Sequence, residues 1–251
     1  MFSIARFTIL KISEPAFIFL VIFGGVLSYI TSGVQGLDLS FFAEIAETTT
    51  SGNLSMGVLI LIMLANIIAI FVGSTEIPRD LNTRMITILL SKPISRDKYV
   101  LGRFLGTWLL AAILYASWLT LLGAFQYFNL PDLFNMKNFL LNYLYIFSLA
   151  PISAIAVTIS AYLDDVPAMI VSFLFISISF TMGSIPIIIK VFPNEFANII
   201  LLFYYLLPNF AYLFRSFEAF FQVIAFIFYA ATMSLIFMKI GMTHFNERDL
   251  I

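Results

Sequence analysis

Six stretches of this chain, approximately 16 to 34, 54 to 72, 104 to 128, 139 to 161, 167 to 189 and 219 to 238, are predominantly apolar and contain no Asp, Glu, Lys or Arg. About 20 apolar residues in a helix cross the hydrocarbon layer, and the helix satisfies its own backbone polar groups where no water is present. The stretches predict an all-α integral membrane protein of six transmembrane helices, a single membrane domain over residues 1 to 251. Composition agrees: 11% of residues are charged and 61% hydrophobic, whereas a soluble domain carries roughly a quarter charged residues. The first stretch is expected to stay in the mature chain, because Met1 to Glu14 is itself largely apolar and no small-residue cleavage pattern follows Ile30.

Six crossings leave both termini on one side, and Lys and Arg in the connections select it. One side collects Arg6, Lys11, Arg79, Arg84, Lys92, Arg96, Lys98, Arg103, Lys239 and Arg248. The other has Lys137, Lys190 and Arg215, so both termini are expected in the cytoplasm. Phe196 to Arg215 competes as a seventh crossing, but its uninterrupted apolar run, Ile199 to Leu207, is nine residues long and lies between Pro193 and Pro208. That is too short to span. It reads as short helices at the outer face, with Tyr204, Tyr205 and Tyr212 at headgroup level. Before the first span, Phe2, Ala5, Ile9 and Ile12 fall at helical spacing, largely opposite Ser3, Arg6, Ser13 and Glu14. This pattern fits an amphipathic helix on the inner membrane surface, with a frayed extension of the span as the other reading.

Ser74 to Arg103 holds nine of the 27 charged residues and is the sizeable polar cytoplasmic surface. Ser74 or Thr75 is expected to cap a helix there, with Glu76 near its positive end and Pro78 in its first turn. Along that helix Leu81, Met85, Ile88 and Leu89 share one apolar face. Pro93 stops it. Ser95 caps the next helix, Asp97 sits in its first turn, and the helix runs through Gly102 and Gly106 into the third span. The result is a helix-break-helix elbow continuous with a transmembrane helix. An apolar face rimmed by Glu76, Arg84 and Arg96 has the character of a docking site.

The run from Glu76 through Leu89-Leu90-Ser91-Lys92-Pro93-Ile94-Ser95-Arg96 to Leu101-Gly102-Arg103-Phe104 resembles the cytoplasmic loop of ABC-2 type transporter permeases. Those typically read Leu-Leu-Ser-x-Pro-Ile-Ser-Arg followed by Leu-Gly-Lys-Phe, so Arg103 stands where Lys is usual. Phe245-Asn-Glu-Arg-Asp-Leu250 is similar to the family's tail, where a basic residue is commoner than Glu247, and Tyr205-Leu-Leu-Pro-Asn209 to its outer segment. The nearest flavour is the permease group that includes the nitrous-oxide-reductase maturation transporter. The resemblance implies the permease subunit of an ATP-driven exporter in a prokaryotic inner membrane, a homodimer or pseudo-dimer. ATP and Mg would be held by a separate cytoplasmic ATPase chain. Its expected contacts are Glu76, Leu89, Leu90, Ser91, Pro93, Ser95 and Arg96, with Arg84 and Met85 added from the elbow's own faces. Gly102, Arg103 and Gly106 link the elbow to span three.

The chain has no Gly-Lys dipeptide and so no phosphate-cradling loop of the Gly-Lys-Ser/Thr kind. It also lacks a Gly-x-Ser-x-Gly elbow, a His-Glu-x-x-His motif and a dinucleotide fingerprint. No catalytic residue and no cofactor are expected in it. It has no Cys and one His, which excludes disulfides, Cys-ligated metals and paired-His haem within the chain, and no metal site is expected. Net charge is -1, so no basic field draws nucleic acid. Charge-free spans argue against a proton-coupled carrier. Asn66, Gln126, Asn142 and Gln222 are expected to bond between helices, Asp165 to cap a helix before Pro167, and His244 to be solvated or interfacial. Two other functions stay open: an ATP-driven mechanical transmitter to an extracytoplasmic partner, and an integral-membrane enzyme or assembly factor.

Overall fold

The computed structural model describes residues 4, 19–26, 56–83, 95–129, 134–181, 208–210 and 220–247, and among them all regular secondary structure is helical. α1 is Met56–Asn82, α2 Arg96–Asn129, α3 Met136–Asn142, α4 Leu149–Tyr162, α5 Asp165–Thr181 and α6 Phe220–Glu247, with a 3-10 segment Tyr143–Ser148 joining α3 to α4. Four segments are long and apolar enough to cross a membrane: Gly57–Asn82, Arg96–Asn129, Met136–Tyr162 and Phe220–Glu247. Of the first predicted span, 19–26 is described and helical; of the fifth, the helix is followed to Thr181. The proposed outer helices lie outside the described residues except for Pro208 to Phe210, and the N-terminal amphipathic segment except for Ile4.

Cross-helix contacts give the directions. Gly73 of α1 lies against both Thr107 of α2 and Ala156 of α4. Tyr145 meets Phe226, and Tyr162 meets His244, so α4 and α6 run parallel. Pairing of Gly123 with Phe139 and of Trp108 with Ile146 sets α2 antiparallel to α3 and α4.

α4 is the centre. Leu149 to Thr158 is buried throughout, and its Ala150, Ser153, Ala154, Ala156 and Ala161 let neighbouring backbones approach closely. Its 3-10 lead-in has a chemical reason. Pro151 has no N–H and its ring crowds the carbonyl of Phe147, which favours a tighter turn ahead of it. Side chains of α2 bond this distorted stretch: Trp108 Nε1 donates to the Ile146 carbonyl at 3.0 Å, and the Tyr115 hydroxyl to the Asn142 carbonyl at 2.9 Å. Segment 19–26 is fastened to the same helix, with Trp118 Nε1 donating to the Leu20 carbonyl at 3.0 Å.

The surface identifies the solvent. α5 buries Ala168, Ser172, Ile176 and Ser179, while Phe173, Leu174 and Ile178 are about half exposed. On α6 Phe228 and Leu235 are 73% and 70% exposed, whereas Ala230 and Ser234 are inside. Small polar groups inward and large apolar groups outward is unfavourable in water and favourable in lipid.

Candidate functional site at the charged end of the bundle

Helix directions bring Asn82, Arg96, Tyr162, Asp165 and Glu247 to one end of the bundle. Glu76, Asp80, Arg96, Asp97, Lys98 and Arg103 therefore gather there, while Lys137 lies at the opposite end, beside the start of α3.

α2 begins as the sequence indicates. Ser95 accepts from the Lys98 N–H at its hydroxyl (3.4 Å) and from the Tyr99 N–H at its carbonyl (3.1 Å), and Asp97 lies in the first turn. The helix then continues without interruption to Asn129, and Gly102 and Gly106 are both buried.

α1 differs from the expectation. No helix starts at Ser74 or Thr75; one helix runs from Met56 through both and through Pro78 to Asn82. The hydroxyls turn back along the helix, Ser74 Oγ to the Phe71 carbonyl at 3.3 Å and Thr75 Oγ1 to the same carbonyl at 2.9 Å. A capping hydroxyl needs free N–H groups ahead of it, and in a helix arriving from the preceding span those are already bonded.

The continuation carries Glu76 and Asp80, four residues apart, onto one face of α1. Tyr99 and Arg103, again four apart, face them from α2. Arg103 is fully buried and bridges both carboxylates, with Nη1 on Glu76 Oε2 at 2.5 Å and Nη2 on Asp80 Oδ2. The Tyr99 hydroxyl donates to Asp80 Oδ2 at 2.6 Å, and the Arg103 guanidinium carbon lies 5.5 Å from the Tyr99 ring centre. Two acids bridged by one forked cation suit the planar guanidinium, which can address two acceptors at once. The surrounding packing includes Ile4, Ile77, Val100, Phe104, Val157 and Phe245. Glu76 is thus 5% exposed, and the structure corrects its expected place on an exposed rim: Arg103 draws it inward.

The far end of α6 closes over this cluster. Phe245 stacks on Tyr99 with ring centres 5.5 Å apart. Asn246 donates through Nδ2 to Asp97 Oδ1 at 2.7 Å, and its carbonyl accepts from Arg96 Nη1 at 2.9 Å. Hydropathy missed this group because charge ends a span in such a reading. The detectable signal was the paired spacing, Glu76 with Asp80 and Tyr99 with Arg103.

Arg84, Met85, Leu89, Leu90, Ser91 and Pro93 of the elbow lie outside the described residues. His244 stacks flat on Tyr162 with ring centres 3.8 Å apart. α5 starts at Asp165, so Asp164 holds the cap position and its carbonyl accepts from the Ala168 N–H at 2.8 Å. Asn66 is 3% exposed, yet no hydrogen-bond partner faces either side-chain atom among the described residues. The expected interhelical bond is not made there. Among the described residues no group of three or more His, Cys, Asp or Glu could hold a metal.

Span-length helices, a lipid-facing surface and a charged helical end define the class, a multi-pass membrane protein. The chain belongs to the ABC-2 family of transporter proteins, whose family profile matches residues 14–250. The family is one of membrane subunits of ABC transporters, and the match extends to no subgroup, so the nitrous-oxide-reductase likeness rests on the loop residues alone. No curated protein and no solved structure matches the chain.

Proposed function

We propose that this chain is the permease subunit of an ATP-driven exporter, working as a homodimer or pseudo-dimer with separate cytoplasmic ATPase subunits. In this reading there are six crossings, both termini are cytoplasmic, and the charged end of the bundle faces the ATPase in a prokaryotic inner membrane. Residues 76 to 98 form the docking elbow, with Arg84, Met85, Leu89, Leu90, Ser91, Pro93, Ser95 and Arg96 as contacts. Glu76 and Arg103 act behind them, and Gly102 and Gly106 carry the link into span three.

The observation that carries this reading is the Arg103 bridge. α1 enters the elbow and α2 leaves it, and Arg103 ties the two by bonds to Glu76 and Asp80. A displacement imposed on the elbow moves both helices as one body, since parting them would leave buried charges unpaired. ATP-driven closure of the ATPases supplies the difference in binding between two permease conformations that such a movement requires.

The elbow itself is the place to test it. Burying one large apolar side chain is worth roughly 1.5 to 3 kcal/mol. Met85→Ala with Leu89→Ala should therefore weaken docking by about 3 kcal/mol, more than a hundredfold. The measurement is co-purification of the ATPase with the double variant, with membrane insertion checked in parallel. Normal insertion with full retention of the ATPase and of stimulated hydrolysis would refute the docking role.

A further inference from the structure

We infer that the end of α6 is a positioning part of the coupling device: Asn246 holds the first turn of α2 in register and passes its displacement through α6 to α4. The inference rests on the permease reading above and extends it to a helix that the elbow does not touch in sequence.

Two consecutive residues of α6 grip α2 in different ways. Phe245 is fully buried against Tyr99, an apolar stack that holds the helices together but permits sliding and rotation. Asn246 is exposed and makes two directional bonds, its amide to Asp97 Oδ1 at 2.7 Å and its carbonyl from Arg96 Nη1 at 2.9 Å. Arg96 and Asp97 are the first two residues of α2, the point at which a pull on the elbow arrives. Exposed hydrogen bonds contribute little to folding, because water replaces them readily. Their effect here is geometric: with both made, the first turn of α2 cannot rotate without carrying Asn246.

From Asn246 the displacement has a rigid route. α6 is one helix from Phe220 to Glu247. At Gly241 it lies so close to α4 that an added Cβ would stand 2.9 Å from Thr158 Oγ1 and 3.2 Å from Thr158 Cα. Thr158 Oγ1 also donates to the Phe237 carbonyl at 2.8 Å. α6 therefore bears directly on the central helix, and Asn246 couples the elbow's exit to it.

The test exchanges donor and acceptor. Asn246→Asp sets a carboxylate against Asp97, and adding Asp97→Asn restores one donor and one acceptor in the same place. The full chain is co-expressed with the ATPase subunit that co-purifies with it. Three properties are read: bound ATPase, the unfolding midpoint, and stimulation of ATP hydrolysis over the ATPase alone. Asn246→Asp should keep wild-type ATPase binding and an unchanged midpoint while stimulation falls about fivefold or more, within the usual range of coupling between sites. The exchanged pair should recover it. Unchanged stimulation in Asn246→Asp, no recovery in the pair, or loss of the bound ATPase each overturns the inference. Should Asn246→Asp fail to fold, Asn246→Ala takes its place, because it removes the donor and adds no charge; its stimulation must still fall. Failure of any ATPase to bind the wild-type chain instead refutes the permease reading and the inference with it.

Discussion

Arg103 and Glu76 meet at 2.5 Å across the interface of α1 and α2, with side chains 0% and 7% exposed. A pair so enclosed is stable only while complete, because each charge has exchanged water for the other.

Removing the cation alone should accordingly be severe. Arg103→Leu leaves the Glu76 and Asp80 carboxylates facing each other in a buried site, a loss of roughly 3 to 5 kcal/mol. Arg103→Lys keeps the charge but not the fork and should fall between wild type and Leu. Combining Arg103→Leu with Glu76→Gln and Asp80→Asn removes the charge imbalance and should recover most of the loss. Thermal unfolding in detergent ranks the four proteins, and a single variant as stable as wild type would contradict the bridge.

Trp118 reports on the first apolar segment. Its indole lies over Gly24 and reaches the Leu20 carbonyl at 3.0 Å, and a Cβ at Gly24 would overlap the ring. Gly24→Val should displace the indole and destabilise by about 1 to 3 kcal/mol. The chain has two Trp, so a Trp108→Phe background isolates the emission of Trp118, whose maximum should shift.

At Gly73 the limiting atom is Ala156 Cβ, 2.9 Å from where a new Cβ would stand, with Thr107 Cγ2 at 3.3 Å. Gly73→Ala should lower the unfolding midpoint, and Ala156→Gly in the same chain should restore part of it. Simple additivity of the two would show that α1 and α4 do not meet there.

Asn129 at the end of α2 and Glu247 at the end of α6 lie at opposite ends of the bundle, because Asn246 bonds the start of α2. Reporter fusions after residues 129 and 251 should therefore report opposite sides of the membrane, with the second cytoplasmic. The same side reported by both fusions would overturn the six-crossing proposal and promote Phe196 to Arg215 to a crossing.

Much of this fold was legible in the apolar stretches, but their edges were not. The charge-free limits stop at Val72 and Phe104, whereas α1 extends to Asn82 and α2 begins at Arg96. Hydropathy scores each charge as if it faced water or lipid, while Glu76, Asp80 and Arg103 face one another. Ser95 was readable because a cap is a local device. Asn246 was not, since its partners lie 149 and 150 residues away and no periodicity records such a distance.

α5 meets α1 and α4 through Ala168, Ser172, Ile176 and Ser179, and turns Phe173 and Leu174 outward. In a bilayer the hydrophobic effect gives such a helix no reason to leave the lipid, so close packing of its short side chains and the contact of Phe175 with Phe237 retain it. In the proposed six-crossing arrangement α5 can thus reside in the bilayer as a separate helix before it joins its neighbours. Assembly of such an arrangement includes a lateral step, and a variant that spoils the Ala and Ser row would release an intact helix into the lipid rather than expose a core to water.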